Sequence, residues 1–226
     1  MNTVDVRKCL VLAAPVMLAY VSIGIPCGVM EAQVGFTPLM AFLFSATYYS
    51  GAGQYMVSGL WLAATPLISI FLSVSLVTTR QLLYSAALSP YVGEERRGRL
   101  LPFAALVTDE TFGVNIDRFA AHEGWDLAHA QVVNVACVLS WACANCLGAA
   151  LGSVVSLPVD VMSFGMTAVF ICLLVGQLKT GSATVAAIAA AAAVVCCKLL
   201  GLASTTIFIG ALVGVACGVV AGEEKA

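Results

Sequence analysis

The chain has 226 residues, 61% of them hydrophobic and only 10% Asp, Glu, Lys or Arg, against about 25% charged residues in an ordinary soluble domain. With a mean hydropathy of +1.01 it has too few charges to wet a globular surface, so its apolar exterior is expected to face lipid. A net charge of −2 without a basic block removes the electrostatic basis for nucleic-acid binding.

Apolar segments run over 9–30, 37–64, 66–92, 101–116, 128–156, 161–178, 180–198 and 201–221. Some exceed one straight span and others fall short of the roughly 20 residues a span needs. The expected fold is therefore all-α: a polytopic membrane protein forming a single transmembrane domain over 1–226. It has about seven spans (range six to eight), with at least one broken or re-entrant helix.

Arg7 and Lys8 precede the first apolar run, which is long enough to span and reads as a retained helix rather than a signal peptide. Segment 37–64 carries Tyr48-Tyr49-Ser50-Gly51-Ala52-Gly53-Gln54 near its middle. Gly51 and Gly53 weaken a helix there, and Gln54 is polar at membrane depth. Broken helices of this kind build solute sites in secondary transporters, and glycines also serve close helix crossings. Segment 66–92 holds Arg80 in an apolar setting, at a cost of roughly 2.5–3.5 kcal/mol unless it finds a counter-charge, carbonyls or water. Tyr84 shares its helix face. A guanidinium beside a phenol suits a forked grip on a carboxylate; an ion pair with Asp109 or Glu110 is the structural alternative.

Asp109 and Glu110 follow the run 100–107. Being adjacent, they point about 100° apart on a helix, so one can pair with Arg80 while the other meets a cavity. A carboxyl at low dielectric can hold a proton near neutral pH, which is a basis for proton coupling; solvated acids at an interfacial helix end are the alternative. Asp117, Arg118, His122, Glu123, Asp126 and His129 read as a loop, and Asp160 as a helix cap.

A faint repeat aligns Tyr20, Gly24 and Gly28 with Trp141, Gly148 and Gly152. Each set is followed by a proline turn and an apolar stretch ending in Gly53-Gln54 or Gly176-Gln177. In the tail, Gly210, Gly214 and Gly218 form one face, for close contact with a helix of this chain or of a partner.

The nine cysteines sit almost wholly in apolar runs and read as packing residues, Cys143-Ala-Asn-Cys146 included. No metal site, cofactor site or enzyme signature such as HExxH, GxSxG or a P-loop is expected. The positive-inside rule places Arg7–Lys8 and Arg96–Arg99 on one side. An even number of crossings must then separate them, which works if segment 37–64 leaves on the side it enters.

Tyr49-Ser50-Gly51-Ala52-Gly53-Gln54-Tyr55 resembles the FAGASQF-like element of the AzlC-type branched-chain amino-acid permeases. Arg80-Gln81-Leu82-Leu83-Tyr84 with Ser89-Pro90-Tyr91, and Leu106-Val107-Thr108-Asp109-Glu110-Thr111-Phe112, resemble two further elements of that family in the same order. Thr78 stands where the family has Asn, and Gln81 where it has His. The resemblance implies a permease exporting branched-chain amino acids across the bacterial inner membrane, working with a small AzlD-type membrane subunit. The tail glycine face is one place for that subunit. Expected solute contacts are Gly51, Gly53, Gln54, Arg80, Gln81 and Tyr84, with Phe44 and Met56 around the apolar tail and Asp109 and Glu110 in proton coupling. A non-transporting membrane scaffold, with its charges as structural pairs, is the alternative.

Overall fold

The computed structural model describes residues 4–92, 95–121, 124–154, 180–200 and 206–223, with isolated positions between 164 and 178. All described secondary structure is helical. The helices are α1 (Val6–Val34), α2 (Pro38–Thr47), α3 (Gly51–Leu62), α4 (Leu67–Thr78), α5 (Arg80–Val92), α6 (Arg97–Ala105), α7 (Asp109–Ala120), α8 (Leu127–Val154), α9 (Gly181–Leu199) and α10 (Thr206–Glu223). They form two compact units, Met1–Thr65 with Val74–Met166, and Pro66–Ser73 with Thr167–Ala226.

The first unit is built on α1 and α8. Asp5 caps α1 by accepting from the Lys8 amide at 3.1 Å, and Gly35 ends it in the left-handed region at φ 103°. Buried Cys9, Ala13, Tyr20, Gly24, Cys27, Gly28 and Glu31 recur at three- and four-residue steps, so they line one face. That face meets α8, and the pairing is parallel. Ser140 Oγ donates to the Met17 carbonyl at 3.0 Å, Gly24 opposes Ala144, Gly28 opposes Asn145 and Ala149, and Gly152 opposes Val29 and Ala32. A Cβ on Gly28 would run into the Asn145 carbonyl, and one on Gly148 into the Ile25 carbonyl. The backbones touch because neither residue has a side chain. Gly24, Gly28, Gly148 and Gly152, aligned in the sequence as a repeat, thus meet across one crossing. Gly176 and Gln177, the other half of that alignment, lie outside the described residues.

Two helical hairpins enter this frame from opposite ends. α2 starts beside the C-terminal end of α1 and runs to Tyr49, whose ring meets Tyr20 at 6.1 Å. α3 then turns back: Tyr55 donates to the Ile23 carbonyl and lies beside Cys27 and Glu31, further toward the same end. Segment 37–64 is therefore re-entrant, with its break at Tyr48–Ser50. α6 and α7 form the second hairpin, broken at Leu106–Thr108. Here α7 runs parallel to α5, with Tyr84 stacked on Phe112 (4.9 Å) and Tyr91 on Phe119 (5.6 Å). Leu88, Val92, Phe103, Val107, Phe119, Leu127 and Ala130 form the apolar cluster around this hairpin.

Val4, Leu10, Arg99, Pro102 and Leu127 line one cavity of about 620 Å³, so the two basic clusters lie at one end of the unit. Among the described residues four helices are long and apolar enough to cross a membrane: Val6–Val34, Leu67–Val92, Leu127–Val154 and Gly181–Leu199. That is fewer than the expected seven, because segments 37–64 and 101–116 fold as broken hairpins, most of 161–178 lies outside the described residues, and 201–221 is described only from Thr206, with a shorter apolar helix over Ile209–Gly222. The exposed faces of the four long helices are apolar, with Leu18, Phe71, Leu139, Leu147 and Ile188 exposed, as lipid solvation requires.

In the second unit α9 and α10 pack antiparallel. Gly210 meets Val194, Gly214 meets Ala190 and Gly218 meets Ala186. The tail glycine face is thus covered by a helix of the same chain, the first of its two sequence readings.

Candidate functional site

The breaks in three consecutive segments come together beside Tyr20 of α1. The first is the α2–α3 tip. Ser50 caps α3 by accepting from the Gly53 amide at 3.3 Å. Gln54 is fully buried and clasps the tip. Its Nε2 donates to the Tyr48 carbonyl at 2.6 Å, and its Oε1 accepts from Trp141 Nε1 (2.8 Å) and Ser45 Oγ (3.3 Å). Gly53 leaves room for the Tyr48 hydroxyl, which any Cβ would strike. Gly51 rests on the Trp141 ring. Phe44 stacks on Tyr48 at 5.5 Å.

The second break is the turn at Thr79, between α4 and α5. It places Arg80 and Gln81 in the first turn of α5. Gln81 Nε2 donates to the Tyr49 carbonyl at 3.2 Å, tying α5 to a group the first break leaves without a helical partner. A neutral amide thus makes the tie.

The third break presents Thr108, Asp109 and Glu110. Thr108 and Thr111 form a reciprocal capping box, with the Thr108 amide donating to Thr111 Oγ1 at 2.8 Å. Asp109 Oδ2 pairs with Arg80 Nη1 at 3.0 Å, with the side chains 19% and 32% exposed respectively. Glu110 Oε2 accepts from the Tyr20 hydroxyl at 2.8 Å. That hydroxyl has one proton, so it accepts from Thr108 Oγ1, 2.7 Å away. The two adjacent acids therefore diverge as their spacing requires: Asp109 meets the guanidinium and Glu110 a phenol.

α3 and α7 both begin here with capped N-termini facing the tips, where partial positive charge favours an anion. The Arg80 fork adds a formal charge able to hold a carboxylate. The arrangement joins an ion pair to three interruptions of the helical backbone.

Of the sequence-derived candidates, Gly51, Gly53, Gln54, Arg80, Gln81, Asp109 and Glu110 are brought together, and Tyr84, stacked on Phe112, joins them beside Arg80 and the Asp109 carboxylate. Gly210, Gly214 and Gly218 belong to the other unit. Tyr20 and Trp141 join the centre although the sequence marked them only as parts of a repeat; each is an aromatic with a polar handle in an apolar run. Asn115 and Asn134 extend the buried polar string, with Asn115 Nδ2 donating to Asn134 Oδ1 at 2.9 Å. His129 is not in a loop but in the first turn of α8, where Asp126 Oδ1 accepts from its amide at 3.0 Å and contacts its ring at 2.6 Å. Asp117 and Arg118 end α7. His122, Glu123 and Asp160 lie outside the described residues.

Thr108→Val removes both the cap and the Tyr20 contact. It is expected to cost about 1–2 kcal/mol, measured by thermal unfolding in detergent, with Thr108→Ser close to wild type.

The profile of the AzlC protein family matches residues 15–155, which include every residue of this centre. The chain belongs to the AzlC family. It is 30% identical over 212 residues to a membrane protein of Archaeoglobus fulgidus, covering 92% of this chain and 91% of the relative. It is 25% identical to the branched-chain amino acid transport protein AzlC of Bacillus subtilis, over 72% of this chain and 64% of that protein. It is 24% identical to the inner membrane protein YgaZ of Escherichia coli, over 90% and 84%. No solved structure matches. AzlC membership makes this a membrane protein of a transport-associated family, and not one of an enzyme family.

Proposed function

We propose that the protein is a secondary transporter of the bacterial inner membrane that exports branched-chain amino acids, driven by the proton gradient. The observation that carries this reading is the Arg80–Asp109 pair at the meeting point of two opposed hairpins. An amino-acid carboxylate competes with Asp109 for the guanidinium, and the solute ammonium takes the freed acid or Glu110. Asp109 released from Arg80 is then free to bind a proton, which links solute to proton movement. Gln54 and Gln81 position the tip; Phe44 and Met56 flank the branched tail. Opening of α2–α3 or of α6–α7 exposes the centre to one end at a time. The transport name carried by the Bacillus subtilis relative supports the solute class. A small AzlD-type subunit is proposed as partner, docking elsewhere than the α10 glycine face, which α9 already covers.

The competing reading is a membrane scaffold in which the same 3.0 Å ion pair is purely structural. Counterflow of labelled leucine, isoleucine, valine and methionine in proteoliposomes, with and without the small subunit, separates the two. The expected result is leucine exchange competed by the other three. Folded protein without exchange in either preparation supports the scaffold.

A further inference from the structure

Glu31 is an acid apart from the Arg80 centre. It sits in the last turns of α1, at the end away from the basic clusters, and is 0% exposed. Its Oε1 accepts from Cys27 Sγ at 3.9 Å; its Oε2 is buried without a hydrogen-bond partner. The groups facing it are Cys27 on its own helix and Tyr55 on α3, whose hydroxyl is committed to the Ile23 carbonyl. Neither carries positive charge. α2, α3 and α8 contain no Lys or Arg, α2 has no titratable residue, and neither does α8 beyond Cys146. Asp109 has a guanidinium and Glu110 a phenol; Glu31 has a thiol and a bare oxygen.

A carboxylate shut away from water without a cation is far more costly than the neutral acid. Tyr55 of α3 is one of the groups beside this acid, so a hairpin lifted from α1 uncovers one side of the carboxyl.

We propose that Glu31 is a proton-binding site separate from the Arg80 centre, and that the α2–α3 hairpin seats against α1 only when that proton is bound. The proton comes from water at the far end and bonds to a carboxylate oxygen; when the hairpin lifts, it returns to the same water. In the transporter reading, on which this coupling role rests, that end faces outward. The outer gate would then close after taking a proton from the side where an exporter's driving gradient supplies it.

The test is hydrogen–deuterium exchange of residues 38–62 in the full chain in nanodiscs across a pH series, corrected for intrinsic exchange, with leucine counterflow run in parallel. One linked proton makes the open population rise about tenfold per pH unit above the titration. Wild type is expected to show that slope. Glu31→Gln and the volume-matched Glu31→Met are expected to be flat, and the infrared band of a protonated carboxyl is expected to fade in both. A wild-type hairpin without the slope overturns the proposal and needs no variant to do so. A slope that survives in either variant also overturns it. Counterflow fails or succeeds independently, so loss of the transporter reading would be seen as absent exchange with the slope intact.

Discussion

Arg80→Ala is expected to abolish leucine counterflow, by about 100-fold or more, while the protein still reaches the membrane. Truncating one partner of a fully buried charge pair costs about 2–5 kcal/mol; this pair is partly buried, so the low end applies, and 100-fold corresponds to about 2.7 kcal/mol. Among the described residues, the substitution removes the only formal positive charge at the meeting of the three breaks. It also leaves Asp109 without its 3.0 Å partner. The orphaned acid is a confounding source of instability, so Arg80→Ala/Asp109→Asn is the companion variant: it carries neither charge, and should fold and remain inactive. Arg80→Lys keeps the charge and loses the fork, and an intermediate loss of about tenfold is expected. Wild-type exchange in a folded Arg80→Ala protein would remove Arg80 from solute binding and leave the ion pair as a structural brace.

The largest stability effect is expected at the α1–α8 crossing. Gly28→Leu or Gly148→Leu places a side chain where the partner helix has its backbone, and no rotamer of a neighbouring side chain can relieve that. Overpacking costs typically 1–3 kcal/mol. Collision with a carbonyl puts these variants at about 3 kcal/mol or beyond, measured as a fall in unfolding temperature and a loss of monodisperse protein. Gly113 on α7 has nothing within 4 Å of a built Cβ, so Gly113→Ala is the control. It is expected to be neutral or stabilising by about 0.5–1 kcal/mol, the ordinary helix difference between the two residues. Equal loss at Gly113 would mean that glycine content, and not this crossing, governs folding.

Both expectations rest on residues that were visible in the sequence for different reasons. Arg80, Asp109 and Gln54 stand out because a polar group in an apolar run is expensive and must find a partner. The Gly51–Gly53 pair marks the region of the break, yet the chain turns at Tyr48–Ser50 and uses the glycines in the first turn of the next half-helix. Ser50 caps that turn, and Gly53 makes room for Tyr48. Thr79 and Leu106–Thr108 are less legible, since neither break contains a glycine or proline. Glu31 falls one residue past the apolar run 9–30, and only the tertiary packing of α3 and α8 around this end of α1 shows that it is buried.

Composition and local pattern alone determined the membrane setting and the all-helical class and marked segment 37–64 as irregular, because each follows from the cost of placing charge or unsatisfied backbone in lipid; the family came from the resemblance of three motifs and the match over residues 15–155. What the tertiary structure decided is direction and pairing. Apolar segments of similar length look alike whether they cross or turn back, and lipid exposure does not distinguish them. Only contacts such as Tyr55 on Ile23, Tyr91 on Phe119 and Gly28 on Asn145 reveal that two segments are opposed hairpins and that α1 and α8 run parallel. The same contacts choose Asp109 over Glu110 for Arg80 and give the tail glycines to α9. Partner choice depends on which side chains the fold brings within hydrogen-bond reach, and helical periodicity limits that choice without making it.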